Sequence, residues 1–261
     1  FALSFPDLPK VISVICTVII GLVAGGIAGA IPGILRAYLG TSEVIVTIMM
    51  NYIILYVANN IIRFGFTADM LRSSEASNKV VASASYQTEF LSQITGGSRF
   101  NIGFFLALAA AFLVWFLLKK TTTGFEITSV GLNPHASEYA GMSSKRVIIM
   151  SMIISGALCG LGGTVEGLGT FQNVFVQNAS LAIGWNGMAV ALLASNSPIG
   201  IPFAALLYGV LSIGKSGMIG VPSEIIDVVS ALIIFFVGAN YIIRYWVRPR
   251  HKSVKAKGGQ N

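Results

Sequence analysis

The side chains of this 261-residue sequence that are best suited to binding a polar solute lie inside long apolar runs. Asn51 is in the middle of the run 44–62, with Thr47 one helical turn before it, and Glu166 is near the end of the run 147–170. Asn186 lies beside Trp185 near the start of a later apolar run. Polar groups are costly in hydrocarbon, so each is expected to face a neighbouring helix, a cavity or a bound solute. These four residues are the candidate substrate pathway.

Two interpretations remain open for each of these groups. Glu166 either accepts hydrogen bonds from solute hydroxyls or lies solvated or paired at the external interface. Asn51 and Asn186 either contact a solute or form hydrogen bonds between helices, which is the commoner use of a buried amide. Three aromatic residues near the same end could stack on a base, but an interfacial belt is favoured: Phe171, Phe175 and Trp185.

Other chemical signals in the sequence do not indicate catalysis. The segment 209–216 matches the phosphate-binding pattern Gly-x4-Gly-Lys-Ser, but it lacks the preceding strand, and Gly217 and Pro222 oppose a helix that begins at its lysine. The two histidines, His135 and His251, offer no metal set. No His, Cys or Asp pair has catalytic spacing inside the apolar runs, so an intramembrane enzyme is disfavoured.

The composition requires membrane-spanning elements to position these groups. Hydrophobic residues make up 54% and charged residues 10% of the chain, and the mean hydropathy is +0.78; a soluble domain carries about 25% charged residues. Seven apolar runs predict an all-α polytopic helical bundle: 11–35, 44–62, 100–118, 147–170, 181–194, 201–214 and 222–243. We interpret 1–261 as a single transmembrane domain.

Small residues and breaks within these runs predict how the helices pack and turn. Glycines in 21–29 and in 156–169 predict close helix packing. Cys16 and Cys159 are interpreted as small core residues. The break from Ser195 to Gly200 predicts a tight hairpin, whose arms, at about 21 Å each, either span or re-enter the membrane.

The distribution of positive charge predicts the sidedness. Of 17 Lys and Arg, ten lie in the loop 119–146 and the basic tail 244–261, so both segments are expected in the cytoplasm. The segment 63–99 is then an external loop. The net charge of +7 is explained by topology and does not call for a nucleic-acid partner.

The cytoplasmic loop 119–146 contains a short predicted helix. Asn133-Pro134 is typical of a helix start and Gly141 of a helix end. The spacing alone leaves open whether this helix is a solvated loop helix or a docking element for a partner.

Four blocks of the sequence resemble permease subunits of ABC importers, in the branch that serves branched-chain amino acids, simple sugars and nucleosides. The blocks are the loop 131–142, the glycine-rich 155–163, 43–52 and 187–200. The loop resembles the pattern Gly-x-Asn-x-x-Ala-Ala-x-x-x-Gly-Ile but has Ser137 and Met142 in place of Ala and Ile. Within the branch, 43–52 and Glu166 look most like nucleoside permeases. The resemblance covers most of residues 11–243.

The resemblance implies a non-catalytic import subunit. Gly131, Asn133, Pro134, Ala136, Glu138 and Gly141 would couple it to a cytoplasmic ATPase that carries the ATP and Mg²⁺, so no cofactor is expected in this subunit. A second permease subunit, an extracytoplasmic substrate-binding protein or lipoprotein and membrane lipid would be its other partners. It implies a bacterial inner or plasma membrane location with the C-terminus in the cytoplasm. Family members have about ten passes, so N-terminal spans are expected to be missing.

Three substrate classes stay open under this resemblance: a nucleoside, a simple sugar or a branched-chain amino acid. An ion-coupled secondary carrier, in which Glu166 relays protons or ions, is the rival mechanism.

Overall fold

Helices form most of the regular structure in the computed structural model, which describes residues 2–5, 8–67, 70–73, 75–81, 83–94, 96–98, 100–179 and 183–217. Beyond residue 217 only positions 225, 228, 231, 232 and 235 are described, so the predicted span 222–243 and the tail 244–261 lie almost wholly outside the described residues. The predicted helical class is confirmed. The chain divides after residue 181 into two units.

Within the described residues, the first unit contains seven α-helices and a small β-hairpin. The helices are α1 (Lys10–Leu39), α2 (Glu43–Asn60), α3 (Glu89–Ile94), α4 (Gly103–Lys120), α5 (Thr122–Leu132), α6 (Pro134–Tyr139) and α7 (Ser144–Val165), and the strands are β1 (Leu71–Ser73) and β2 (Ala76–Ser77). Helices α2 and α7 continue into π-helical turns, Ile61–Gly65 and Glu166–Phe171. Helices α1, α2, α4 and α7, the π turns included, are long and apolar enough to cross a membrane, as the first four predicted spans require.

Glycines allow α1 and α7 to pack with their backbones in contact. A Cβ atom on Gly25 would lie 2.8 Å from the Cα of Gly160, and one on Gly156 would lie 2.9 Å from the Cα of Gly29. Neither position has room for a side chain, which confirms close packing of these glycines. The prediction is wrong for Gly162, Gly163 and Gly167, whose Cβ positions are open in the described residues.

One end of the first unit is covered by two loops that fold together, and we call the described residues of 66–101 and 172–179 the loop layer. Strands β1 and β2 pair antiparallel, and Ala76 bridges to Phe175. Backbone bonds join the two loops: Ser77 N–H to Val174 O at 2.8 Å, Val176 N–H to Glu75 O at 2.8 Å and Val80 N–H to Gln172 O at 2.7 Å. The predicted external loop 63–99 therefore contains a hairpin and the short α3, neither of which was predicted from the sequence.

The opposite end of the first unit carries the connections from α1 to α2 and from α4 to α7. The Arg36 Nε lies 2.9 Å from a Glu43 carboxylate oxygen across the turn between α1 and α2. Lys145, at the start of α7, lies 5.4 Å above the ring of Tyr38. The described residues of the predicted cytoplasmic loop 119–146 thus lie at one end, and those of the predicted external loop 63–99 lie at the other.

The described part of the second unit contains a helical hairpin. Helix α8 (Ile183–Leu193) and helix α9 (Gly200–Gly217) are joined by a turn in which Ser195 and Asn196 have φ angles of 53° and 56°. This confirms the predicted break between residues 195 and 200. At 1.5 Å per residue α8 is only about 17 Å long, which is shorter than a hydrocarbon layer. The phosphate-loop-like segment 209–216 lies inside α9 and forms no loop.

Candidate functional site

The six predicted coupling residues form one compact element around α6. The side-chain oxygen of Asn133 accepts a hydrogen bond from the N–H of Ala136 at 3.1 Å, and Pro134 occupies the first turn. Both features favour a helix start, as the sequence predicts. The helix ends at Tyr139, two residues before Gly141, because Gly141 adopts a left-handed φ of 84° that stops the helix.

Hydrogen bonds fix this element to the start of α7 while leaving its surface open. The Ser144 hydroxyl donates to the Pro134 carbonyl at 3.1 Å. The buried Ser137 hydroxyl donates to the Asn133 carbonyl at 2.9 Å, so the serine that stands in place of the alanine in the resembled pattern is accommodated locally. Every other residue of α6 is exposed, and Tyr139 is 96% exposed. Gly131, in the last turn of α5, is exposed beside it.

Thr47 and Asn51 face a shared cavity of about 250 Å³ between α1, α2 and α7. The Thr47 hydroxyl donates to the carbonyl of Glu43 at 2.8 Å, one turn earlier in its own helix. Most of the wall is apolar or backbone and includes the tightly packed glycines: Gly25, Ala28, Gly29, Pro32, Met50, Ile54, Cys159, Gly156 and Gly160. Two of the four predicted pathway residues are therefore brought together.

The cysteines differ from the core interpretation. Cys159 is exposed and lines this cavity, and Cys16 is only partly buried. The reason is that α7 presents its glycines to α1 at residues 156 and 160, which turns residue 159 toward the opening beside α2.

The other two predicted pathway residues lie elsewhere. Glu166 begins the π-helical turn after α7, is half-buried and accepts a hydrogen bond from the Thr170 hydroxyl at 3.2 Å. It does not line the cavity of Thr47 and Asn51. Asn186 is half-buried in α8 and belongs to the second unit. Phe171 and Phe175 pack edge to face at 5.4 Å.

Two polar residues that hold the loop layer to the bundle were not among the predicted site residues. The buried Tyr86 hydroxyl lies 3.0 Å from the Thr17 hydroxyl of α1, and the Tyr86 N–H donates to Leu168 O at 3.2 Å. The Asn59 amide makes two bonds with the backbone of Gln177: it donates at 2.7 Å and accepts at 3.0 Å. No short-range pattern in the sequence signals pairings over such separations.

Four membrane-length apolar helices, a loop layer at one end and an exposed, capped helix at the other define a multi-pass helical membrane protein. Residues 4–238 match the family described as branched-chain amino acid transport system / permease component, and the chain belongs to that family. It is therefore a permease component of a transport system.

Three curated relatives indicate where the chain falls within the family. It is 51% identical to the nucleoside ABC transporter permease protein NupB of Lactococcus lactis, over 98% of this chain and 71% of that protein. It is 48% identical to the guanosine ABC transporter permease protein NupP of Bacillus subtilis, over 81% of this chain and 61% of NupP. A second B. subtilis protein, the guanosine ABC transporter permease protein NupQ, is 36% identical over 40% of this chain and 32% of NupQ. No solved structure matches the chain.

Proposed function

We propose that this chain is part of the transmembrane permease subunit of an ATP-driven importer that takes up nucleosides. The substrate class is inferred from sequence identity. Over most of this chain, about half of the residues are identical to those of two permeases named for nucleosides and guanosine. The longer protein would form the translocation pathway in a bacterial plasma membrane, with the loop layer outside and the C-terminus in the cytoplasm. The positive charges of 119–146 and 244–261 support this orientation.

The exposed α6 is the proposed docking element for a cytoplasmic ATPase, which binds and hydrolyses ATP with Mg²⁺. Its cap and its bond to Ser144 fix its orientation on α7, so that movement of the docked ATPase is passed to a membrane-spanning helix. Gly131, Asn133, Pro134, Ala136, Glu138 and Gly141 form or flank this surface.

The loop layer is the proposed receiving face for an extracytoplasmic binding protein or lipoprotein that delivers substrate. A second permease subunit completes the pathway, in keeping with two similar guanosine permeases in one organism. Thr47, Asn51, Glu166 and Asn186 are the proposed polar contacts of the solute along this path.

The substrate class is tested by uptake in proteoliposomes that contain the full-length permease, its second permease, the ATPase and the binding protein. We expect ATP-dependent guanosine uptake that excess adenosine inhibits and excess ribose or leucine does not. Uptake driven by an ion gradient without ATP would indicate a secondary carrier, and inhibition by ribose or leucine would indicate the sugar or amino acid class.

Docking is tested with a double variant, Glu138→Arg and Gly141→Arg. The arginine at residue 138 adds a cation on the exposed face of α6, and the arginine at residue 141 adds a second cation after its end and strains the left-handed φ of 84°, so the pair should abolish uptake while membrane expression stays normal. The matched control is Glu126→Arg in α5, which adds the same cation outside α6 and should retain uptake. Uptake at the wild-type rate in the double variant would overturn the docking proposal.

A further inference from the structure

A cavity of about 330 Å³ lies where α2 meets the loop layer. None of the proposed solute contacts lines it. It opens at the end of the π-helical turn 61–65. Its volume falls in the range of small-molecule sites, about 300–1,000 Å³. We call it the outer cavity.

One helical face supplies most of the outer cavity's wall. Tyr56, Asn60, Arg63 and Phe64 all line it, with spacings of three to four residues that place them on the same side of the helix. The face therefore combines two aromatic rings, an amide and a guanidinium. The opposite wall is the loop residue Asn178 and its neighbour Gln177.

The second wall is held in place by Asn59. Its amide donates to Gln177 O at 2.7 Å and accepts from Gln177 N–H at 3.0 Å, a pairing between residues 118 apart in sequence. Because this amide is used in fixing the loop, Asn59 is a positioning residue. The shape of the outer cavity is thus set before any ligand enters.

The guanidinium of Arg63 is available for a ligand. Among the described residues its ion pair is with a Glu75 carboxylate oxygen at 3.9 Å, which is beyond hydrogen-bond distance, and its side chain is 48% exposed. A guanidinium presents a fork of donors that pairs with the O6 and N7 acceptors of guanine, and an amide such as that of Asn60 offers both donors and an acceptor to ribose hydroxyls. Aromatic rings stack on bases.

We propose that the outer cavity binds a purine nucleoside, with guanosine preferred. Arg63 donates to the O6 and N7 edge of the base, Asn60 pairs with the ribose hydroxyls, and the rings of Tyr56 and Phe64 contact the base face. The assignment rests on the proposed function, which places this end outside and supplies nucleosides to it.

The test is protection of a cysteine at the cavity wall. In the full-length permease with its native cysteines, including Cys16 and Cys159, replaced by Ser, Asn178→Cys is labelled by a membrane-impermeant maleimide in right-side-out vesicles. We expect guanosine to slow labelling at lower concentration than cytidine does. The control Arg72→Cys, on β1 outside the cavity, should be labelled at the same rate with or without guanosine.

Arg63 variants distinguish a bidentate contact from a structural or purely charged role. Arg63→Gln, placed in the Asn178→Cys protein, should raise the half-protecting guanosine concentration about tenfold. Arg63→Lys keeps the charge but loses the fork, so it should behave like Arg63→Gln. Arg72→Gln should leave protection unchanged.

The possible failures are distinguishable. Nucleoside uptake by the wild-type transporter without guanosine protection overturns the site and leaves the proposed function standing. Absence of both uptake and protection overturns both. Equal protection by guanosine and cytidine overturns the purine assignment, and labelling that responds to anionic lipid but to no nucleoside assigns the cavity to headgroups and overturns the site.

Discussion

Tyr86 illustrates how a polar side chain is accommodated where the loop layer meets the helices. Its ring is fully buried, and its hydroxyl reaches the Thr17 hydroxyl, which also donates within its own helix to Ser13 O or Val14 O. The residue thus joins apolar burial to a hydrogen bond between the loop layer and α1. Buried hydroxyls of this kind are costly when they lose their partner.

Replacement of Tyr86 by Phe should destabilise the protein modestly. The variant keeps the ring packing but removes one hydrogen bond, so we expect the free energy of unfolding to fall by about 1 kcal/mol. Thermal unfolding of the purified full-length permease measures the change, with Tyr52→Phe, whose ring is half exposed, as the control. A Tyr86→Phe protein as stable as the control would show that the bond to Thr17 contributes nothing.

At the scale of elements, the close packing of α1 against α7 requires glycine at their contact positions. Membrane helices gain little from hydrophobic burial against each other, so close backbone approach is a principal source of their association. Gly156 lies against the backbone at Gly25 and Gly29, whereas Gly162 on the same helix has open space at its Cβ position. The two glycines have the same helix propensity and different surroundings.

Alanine at these two positions should therefore have opposite effects. Gly156→Ala forces apart the backbones of α1 and α7 and should cost about 1–3 kcal/mol. Gly162→Ala should be neutral or stabilising, because alanine is the better helix former by about 1 kcal/mol. The thermal midpoints of the two full-length variants give the comparison, and equal midpoints would contradict the packing described for α1 and α7.

At the scale of the whole molecule, the loops alternate between two ends of the bundle. The turn 40–42 and the loop 121–143 share one end, and the loop layer covers the other, so the segments 119–146 and 63–99 lie at opposite ends, as their predicted sides require. The hairpin of α8 and α9 returns the chain to the side on which it began, whether or not α8 spans. The number of membrane crossings between the two predicted cytoplasmic segments therefore stays even although α8 is short.

This parity predicts the location of Ser216. A cysteine at Ser216, near the end of α9 and on the side opposite the hairpin turn, should be labelled by an impermeant maleimide added outside the cell. A cysteine at His135, in the exposed α6, is the control and should be labelled only after the membrane is opened. Labelling of Ser216→Cys from the cytoplasm alone would overturn the orientation.

Local patterns were sufficient to predict most of the described helices. The bounds of α1, α2, α4 and α7 follow from apolar runs, and the start of α6 follows from Asn133-Pro134, because caps and breaks act within a few residues. The hairpin break at 195–200 was predicted for the same reason. The π-helical turns, β1 and β2 were not: β2 also bridges to Phe175, and Leu168 in the second π turn accepts a bond from Tyr86, contacts that no local pattern signals.

Some features of the candidate site also follow from local sequence, and others depend on tertiary packing. The grouping of the coupling residues follows from their closeness in sequence, and the pairing of Thr47 with Asn51 follows from helical spacing. The separation of Glu166 from that pair and the exposure of Cys159 do not, because both depend on which face of α7 packs on α1.

The sequence by itself determined the membrane class, the helix ends, the alternation of the loops and the short helix α6, because hydropathy, charge and capping are local properties of the chain. Tertiary structure alone decided which glycines touch, how the loop layer folds, and that Asn59 fixes Gln177 to shape the outer cavity. Those features join residues as distant in sequence as Gly25 and Gly160, and their free energy comes from packing and paired hydrogen bonds that form only when the helices have assembled.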